Sequence, residues 1–232
     1  MEKFSRRKFL YIFASLSFSY PLSIATASSR DNKPGENENF PITFTVLKAA
    51  YESETVASEH YVGYSRRAVE ENYPNIAYLF TAFAVSEKIH AENYKKILNT
   101  LNSELEEPQF EILISDTKAN LTKAADGELK KIKTTYRNFL TELKKESHDQ
   151  AVISCMYSWK SHRQHRRKIK EIQKYSKQFF GAVAKSIEKM QFDFHVCEIC
   201  GSTIDGAPET PCDICNYPNS HYQKVIIPTE QP

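Results

Sequence analysis

The chain predicts a mainly α protein, a four-helix bundle followed by a small metal-binding domain. Three observations carry this expectation. Only 6 glycines accompany 26% charged and 41% hydrophobic residues in a chain of 232, a composition suited to helices rather than to a turn-rich β-sandwich. From Ile42 to about Gln191 apolar residues recur near the 3.6-residue period, with turn signals only at intervals. Near the C-terminus stand two Cys-x-x-Cys knuckles, Cys197-Glu198-Ile199-Cys200 and Cys212-Asp213-Ile214-Cys215, separated by a short loop containing Gly and Pro. The length allows one medium domain and a small one. A net charge of +2 does not point to nucleic acid as a partner. The sequence carries no phosphate-binding loop, dinucleotide fingerprint or nucleophile elbow.

Residues 1–27 read as a twin-arginine signal peptide rather than as part of the fold. Ser5-Arg6-Arg7-Lys8-Phe9-Leu10 is the arginine-pair pattern, an apolar stretch runs from Phe9 to Ile24, and Ala25-Thr26-Ala27 is a small-x-small cleavage signal. A retained membrane anchor is the alternative, but Pro21 and several serines interrupt a run already short for a bilayer. Cleavage after Ala27 leaves no stable membrane anchor and places the mature protein in the periplasm or otherwise outside the cytoplasm. Export in the folded state suits a metalloprotein that acquires its metal first. Residues 28–41, rich in Ser, Asn, Pro, Gly and charges, form a linker.

The bundle spans residues 42–191. Its first helix covers 44–68, with Phe44, Leu47, Tyr51, Ala57, Tyr61 and Tyr64 on one stripe. Asn72-Tyr73-Pro74-Asn75 breaks it, and Pro74 suits the first turn of a second helix, 75–102. A crossover around Glu106-Glu107-Pro108 leads to a third helix over about 117–145; His148-Asp149-Gln150 begins a fourth over about 149–175, and a further segment runs over about 176–190. Four long helices with a longer connection between the middle pair suggest a ferritin-like bundle. Such bundles hold two metals with inward carboxylates and Glu-x-x-His pairs, because positions i and i+3 share a helix face. Glu87-Lys88-Ile89-His90 is such a pair; by itself the pattern is more often a solvated helix face.

The paired knuckles occupy residues 192–232, the small second domain. Each turn aims two sulfurs at one point, and two facing turns make a tetrahedral thiolate cage that selects zinc or iron. A pair of disulfides is the alternative, although this spacing fits a metal better than a bridge framework.

Residues around these motifs resemble the rubrerythrin family at both ends. Phe194-His195-Val196-Cys197-Glu198-Ile199-Cys200-Gly201, Ala207-Pro208-Glu209 and Cys212-Asp213-Ile214-Cys215-Asn216-Tyr217-Pro218-Asn219-Ser220-His221-Tyr222 are similar to the rubredoxin-like domain that closes rubrerythrins. The resemblance implies an Fe(Cys)4 electron-transfer centre on Cys197, Cys200, Cys212 and Cys215, with zinc as the other occupant that spacing allows. Glu54-Thr55-Val56-Ala57-Ser58-Glu59-His60-Tyr61, Asn75-Ile76-Ala77-Tyr78-Leu79-Phe80 and Ser86-Glu87-Lys88-Ile89-His90-Ala91-Glu92 resemble the family's first helix pair, with Glu54 33 residues before Glu87. This implies a dinuclear iron site with Glu54 as terminal ligand, Glu87 as bridging carboxylate and His90 as imidazole ligand. Glu52, Glu59 and His60 compete nearby, and the register disfavours them.

The second half departs from the pattern. Asn120 to Glu128, with Tyr136 eight residues on, resembles the start of the family's third helix and puts Glu128 in a terminal-carboxylate position. Three residues later, where the family usually has a second glutamate, stands Lys131. Where another Glu-x-x-His is expected the chain reads Ser161-His162-Arg163-Gln164-His165, and His162 and His165 become metal candidates if one extra loop residue lies near Lys144–Asp149. Without that insertion Ser161 and Gln164 take the ligand slots. The alternative places both histidines on a basic surface strip with His148, Arg163, Arg166, Arg167 and Lys168. Tyr61 and Tyr136 match positions from which a phenol can hydrogen-bond a ligand carboxylate, and Cys155, in an apolar run, reads as core.

The resemblance implies reduction of hydrogen peroxide or a related oxidant, with Glu54, Glu87, His90 and Glu128 as the catalytic set and electrons delivered through the cysteine centre. It also implies a homodimer, in which the two centres meet head to tail, and a redox donor protein that the sequence does not name. The rival expectation is a non-catalytic metal-binding or electron-transfer protein with a degenerate bundle site, favoured by Lys131 and His162.

Overall fold

A computed structural model describes residues 40–101, 105–174, 184 and 187–226. The expected signal peptide and nearly all of the linker lie outside the described residues, as does most of the segment expected over 176–190. Among the described residues no helix is long and apolar enough to cross a membrane.

Helix α1 runs Pro41–Glu70 and α2 runs Pro74–Thr100, both with proline in the first turn. They are antiparallel neighbours: Ser58 donates to the Ala84 carbonyl at 2.9 Å, and Ser65 to that of Ala77 at 3.0 Å. Neither has a local side-chain cap. Their first free amides are met by carboxylates from far along the chain, which also suit the positive end of the helix dipole. Glu146 accepts from the Ile42 and Thr43 amides at 2.8 and 2.7 Å, and Glu188 from the Asn75 amide at 2.7 Å.

The third bundle helix is interrupted, which the sequence pattern did not suggest. Helix α3, Thr117–Lys130, capped by Asp116, passes into a π-helical turn, Lys131–Thr135, and continues as α4, Tyr136–Leu143. In an unbroken α-helix, residues eight apart diverge by about 80° at roughly 100° per residue. The wider turn absorbs one residue and brings Glu128 and Tyr136 onto the same inward face. Helix α5 runs Asp149–Lys174 and completes the bundle.

The bundle core has two apolar clusters. One gathers Tyr61, Tyr64, Ile76, Leu79, Phe80 and Phe83; the other gathers Leu47, Tyr51, Tyr94, Leu98, Leu143 and Cys155. Cys155 is a buried free thiol whose pKa burial raises to about 12, consistent with a core residue. Between the clusters, at mid-height, lies a belt of buried polar side chains.

The C-terminal domain is a three-stranded antiparallel sheet of β1 (Phe194–Cys197), β2 (Thr203–Asp205) and β3 (Tyr222–Lys224) in the order β2-β1-β3. Phe194 pairs with Asp205, and Cys197 with Tyr222. The sheet docks on α2: the Tyr78 hydroxyl donates to the Val225 carbonyl at 2.9 Å and accepts from the Phe194 amide at 3.1 Å.

Candidate metal centres

Each cysteine knuckle is a tight turn closed by its own backbone. The Gly201 amide bonds the Cys197 carbonyl at 2.8 Å and the Asn216 amide bonds that of Cys212 at 2.7 Å. The residue after each second cysteine is left-handed, Gly201 at φ 73° and Asn216 at φ 59°, residues that tolerate this region. Cys197 and Cys215 sulfurs lie 3.7 Å apart and those of Cys200 and Cys212 3.5 Å, all four within 4.8 Å of one another. These separations exceed the roughly 2.05 Å of a disulfide. They match the edge of about 3.8 Å for a tetrahedron of metal–sulfur bonds near 2.3 Å. The four thiols therefore fit a single metal ion, and the disulfide alternative falls.

The bundle belt brings together Glu54 from α1, Glu87 and His90 from α2, Glu128 from α3, and His162 and His165 from α5, all at most 1% exposed. Ligand atoms of Glu54, Glu87, His90 and His162 lie within 4.8 Å of one another, as do those of Glu87, Glu128, His162 and His165. Glu87 and His162 belong to both groups. His162 sits between the carboxylates, its Nδ1 2.9 Å from Glu128 and its Nε2 3.2 Å from Glu54. A neutral imidazole has one lone pair and serves one ion at a time. His165 Nδ1 lies 3.4 Å from Glu87 and 3.5 Å from Glu128. The surface-strip alternative for both histidines is thus excluded by their burial.

The competing residues are elsewhere: Glu52 is exposed, and His60 turns its Nδ1 to the Val56 carbonyl at 2.9 Å. On α5 the Ser161 hydroxyl donates to the Gly201 carbonyl at 2.9 Å, and the Gln164 amide accepts from the Thr203 amide at 3.1 Å. These two side chains face the C-terminal domain.

Whether the belt fits metal is decided by its unsatisfied atoms. Glu87 Oε1, Glu128 Oε2, His162 Nδ1 and His165 Nδ1 are buried and crowd within ion-pair distance of one another, yet none makes a well-aligned hydrogen bond. Buried polar atoms without partners are rare and costly. Four converging oxygen and nitrogen donors of this kind constitute a coordination site. The outer atoms are satisfied: Tyr61 donates to Glu128 Oε1 at 2.6 Å, and Tyr136 donates to Glu54.

Lys131, on the π turn, places its ammonium against Glu54 and 3.7 Å from Glu87, with only 13% of its side chain exposed. Burial lowers its pKa, but the charges of Glu54, Glu87 and Glu128 outweigh this and raise it. Burial likewise pushes Glu87 up, while His162 and Lys131 bring it well below the usual carboxylate range; Glu128 is lowered to about 2, chiefly by His162 against its burial. His162 is desolvated yet raised by Glu87, and His165 is raised by Glu128 and Glu87. The belt thus balances its own carboxylates with protons and one ammonium, and a bound cation displaces those protons.

Two histidines connect the centres. His90 faces Glu87 through Nδ1 at 2.8 Å and donates from Nε2 to the Cys200 carbonyl at 3.1 Å. His165 turns Nδ1 to the carboxylates and Nε2 to the Thr203 hydroxyl at 3.3 Å. The C-terminal domain thereby supplies partners for the outer nitrogens of both rings, which orients them. Gly201 permits this approach, since a Cβ there would lie 2.4 Å from His90 Nε2.

The rubrerythrin family model matches residues 45–173, more than half of the chain. The chain belongs to the rubrerythrin family. Among curated relatives it is 28% identical over 186 residues to rubrerythrin-2 of Clostridium acetobutylicum, covering 78% of this chain and 96% of that one. It is 27% identical over 181 residues to nigerythrin of Nitratidesulfovibrio vulgaris, covering 78% and 85%. A structure of fully reduced, all-ferrous nigerythrin superposes with a TM-score of 0.68 at 26% identity, over 78% of this chain and 86% of that one. A Desulfovibrio desulfuricans bacterioferritin, at 18% identity and a TM-score of 0.61, shares the fold.

The chain is a member of this non-haem diiron family, with a carboxylate/histidine metal site in the bundle and a separate four-cysteine metal site. Within one chain the bundle centre already contacts that chain's own C-terminal domain through His90 and His165. Sequence reasoning missed Ser86, Ser161 and Thr203, which hold that contact; Ser86 donates to the Gly201 carbonyl at 2.6 Å. Ser86 and Ser161 adjoin ligand candidates in sequence, but their partner is 40 or more residues away, beyond any local pattern.

Proposed function

We propose that this protein is an exported peroxide reductase that works as a homodimer. The observation that carries the reading is the His90 imidazole, held by Glu87 on one side and by the Cys200 carbonyl on the other. One ring and one peptide thus link the cysteine site to the carboxylate site, and electrons passed between metals bound there would have this route. Iron held in the bundle would supply the two electrons needed to cleave the O–O bond of hydrogen peroxide, which with two protons yields two waters. Glu54, Glu87 and Glu128 hold the hard, oxidised ions, and Tyr61 and Tyr136 fix two of those carboxylates by hydrogen bonds.

The experiment is anaerobic mixing of the dithionite-reduced, iron-loaded protein with hydrogen peroxide, following visible absorption as the cysteine centre reoxidises. Rapid return of colour that depends on Glu87 supports the reading. Return at the same rate in Glu87→Ala overturns it. Two chains exchanging C-terminal domains keep all the interdomain contacts, so the dimer is tested separately by sedimentation. Export follows from the arginine pair: replacing Arg6 and Arg7 by lysine should leave a folded precursor in the cytoplasm, and normal export of that variant removes this part of the proposal.

One observation favours a second reading, a non-catalytic electron carrier. Lys131 already pairs with Glu54 and places its one positive charge 3.7 Å from Glu87. Metal analysis separates the two: about three irons per chain supports the enzyme, about one supports the carrier.

A further inference from the structure

A cavity of about 210 Å³ opens between α1 and α3. Val56, Ala57, Tyr64 and Ala124 form its apolar walls, and at its inner end lie Glu128 and Lys131. We propose that it binds a small alkyl hydroperoxide, with the hydroperoxy group at the Glu128–Lys131 end and the alkyl group against the apolar walls. The proposal rests on the peroxide-reducing reading and names a substrate class for it.

Three features support the assignment. The space is large against the roughly 10–15 Å³ that one water needs on the same measure, and it opens to solvent, so a hydrogen peroxide molecule would share it with water. The lining is mostly apolar, with Ser53, His60 and the exposed Lys123 also on it and the buried Glu128 and half-buried Lys131 among its charged groups, as suits an amphiphile. The floor belongs to the metal belt: Glu128 is among its candidate ligands, and the Lys131 ammonium has three donors, of which Glu54 and Glu87 face two. The C-terminal domain covers the other side of the bundle, contacting Ser86, His90 and Asn93 of α2 and Ser161 and Gln164 of α5. Oxidant and electrons thus have separate approaches.

Gly127 marks the mouth. It is exposed, and a Cβ built on it meets no atom within 4 Å. Glycine inside a helix costs about 1 kcal/mol relative to alanine, and here its effect is to leave the entrance clear. In the reaction the O–O bond of the hydroperoxide breaks and two protons from water are taken up. The products are one alcohol and one water. Two ferrous ions of the bundle each give one electron, becoming ferric.

The test compares tert-butyl hydroperoxide with hydrogen peroxide as oxidants for the full iron-loaded chain, in wild type and in Gly127→Ala, Gly127→Leu and Gly127→Phe. The ratio of kcat/KM for the alkyl peroxide to that for hydrogen peroxide should fall progressively with side-chain size, by about tenfold or more in Gly127→Phe. Circular dichroism and the colour of the cysteine centre report that each variant is folded. An independent reading uses tert-butanol, the product alcohol, with metal-free protein: it should shift the methyl resonances of Val56, Ala57 and Ala124 in wild type and not in Gly127→Phe. Reduction of hydrogen peroxide without reduction of the alkyl peroxide, or a ratio indifferent to residue 127, overturns the assignment and leaves the peroxide reading standing. Reduction of neither oxidant overturns both.

Discussion

In the C-terminal domain four sulfurs come from 19 consecutive residues, and each knuckle is shaped by a hydrogen bond within its own turn. In the bundle six ligand candidates come from four helices, between Glu54 and His165. The first site carries its geometry locally. The second exists only when the helices pack, and it brings buried charge that must be compensated even without a cation, which is the role Lys131 and the histidine protons take. A local site of this kind is insensitive to distant substitutions, whereas an assembled one responds to every element that contributes to it.

Removing a sulfur is the most severe way to test the local character of the first site. Cys200→Ser should abolish the visible thiolate-to-iron absorption and leave the helical circular dichroism at the wild-type level; a substantial loss of helix would show that the domains do not form independently. Glu87→Ala is its counterpart in the bundle. Glu87 belongs to both ligand groups, so its loss should remove most bundle iron and slow peroxide reduction by about 100-fold or more, with the cysteine colour intact.

Lys131→Met sharpens the contrast, because its effect should reverse with loading. In the metal-free protein, breaking a buried ion pair costs about 3–5 kcal/mol, and Tm should fall by about 10 °C. In the loaded protein the missing positive charge should instead tighten the Glu54 side and raise iron occupancy. A fall in both states would mean that Lys131 supports the loaded site as well. His162→Glu tests the same balance by adding a carboxylate, and higher iron occupancy and turnover are the expected result.

Smaller effects probe the contact between the sites. Thr203→Val should weaken bundle iron binding by about tenfold through His165, and Thr203→Ser should restore it, with the cysteine spectrum constant throughout. The smallest effect is expected at Glu146→Ala, which removes the cap of α1 and should cost about 1 kcal/mol. Burial raises the pKa of Glu146, but the Ile42 and Thr43 amides together outweigh it and lower it overall. Its contribution is therefore complete above the ordinary glutamate range and is lost as pH falls through the depressed value, so wild type and variant should converge in acid.

The helices and the cysteine knuckles were legible because both are short-range. Apolar spacing reports which face of a helix is buried, and a Cys-x-x-Cys turn reports its own geometry. The Glu87–His90 pair was legible for the same reason. The π turn was not, since nothing in Lys131–Thr135 distinguishes a widened turn from a regular one until Glu128 and Tyr136 both have to face inward. The caps on α1 and α2 were invisible because Glu146 and Glu188 lie over 100 residues away from the amides they accept from.

By itself, then, the amino-acid order determined the helical periodicity, the thiolate cage and which residue types were available for a carboxylate and imidazole site. Only the tertiary structure decided that His162 and His165 turn inward and that Lys131 reaches Glu54. It also decided that His90 meets the Cys200 carbonyl. Each of these depends on the relative rotation of two or more packed elements, a quantity that no local stretch of sequence contains because it is set by the side chains of both partners at once.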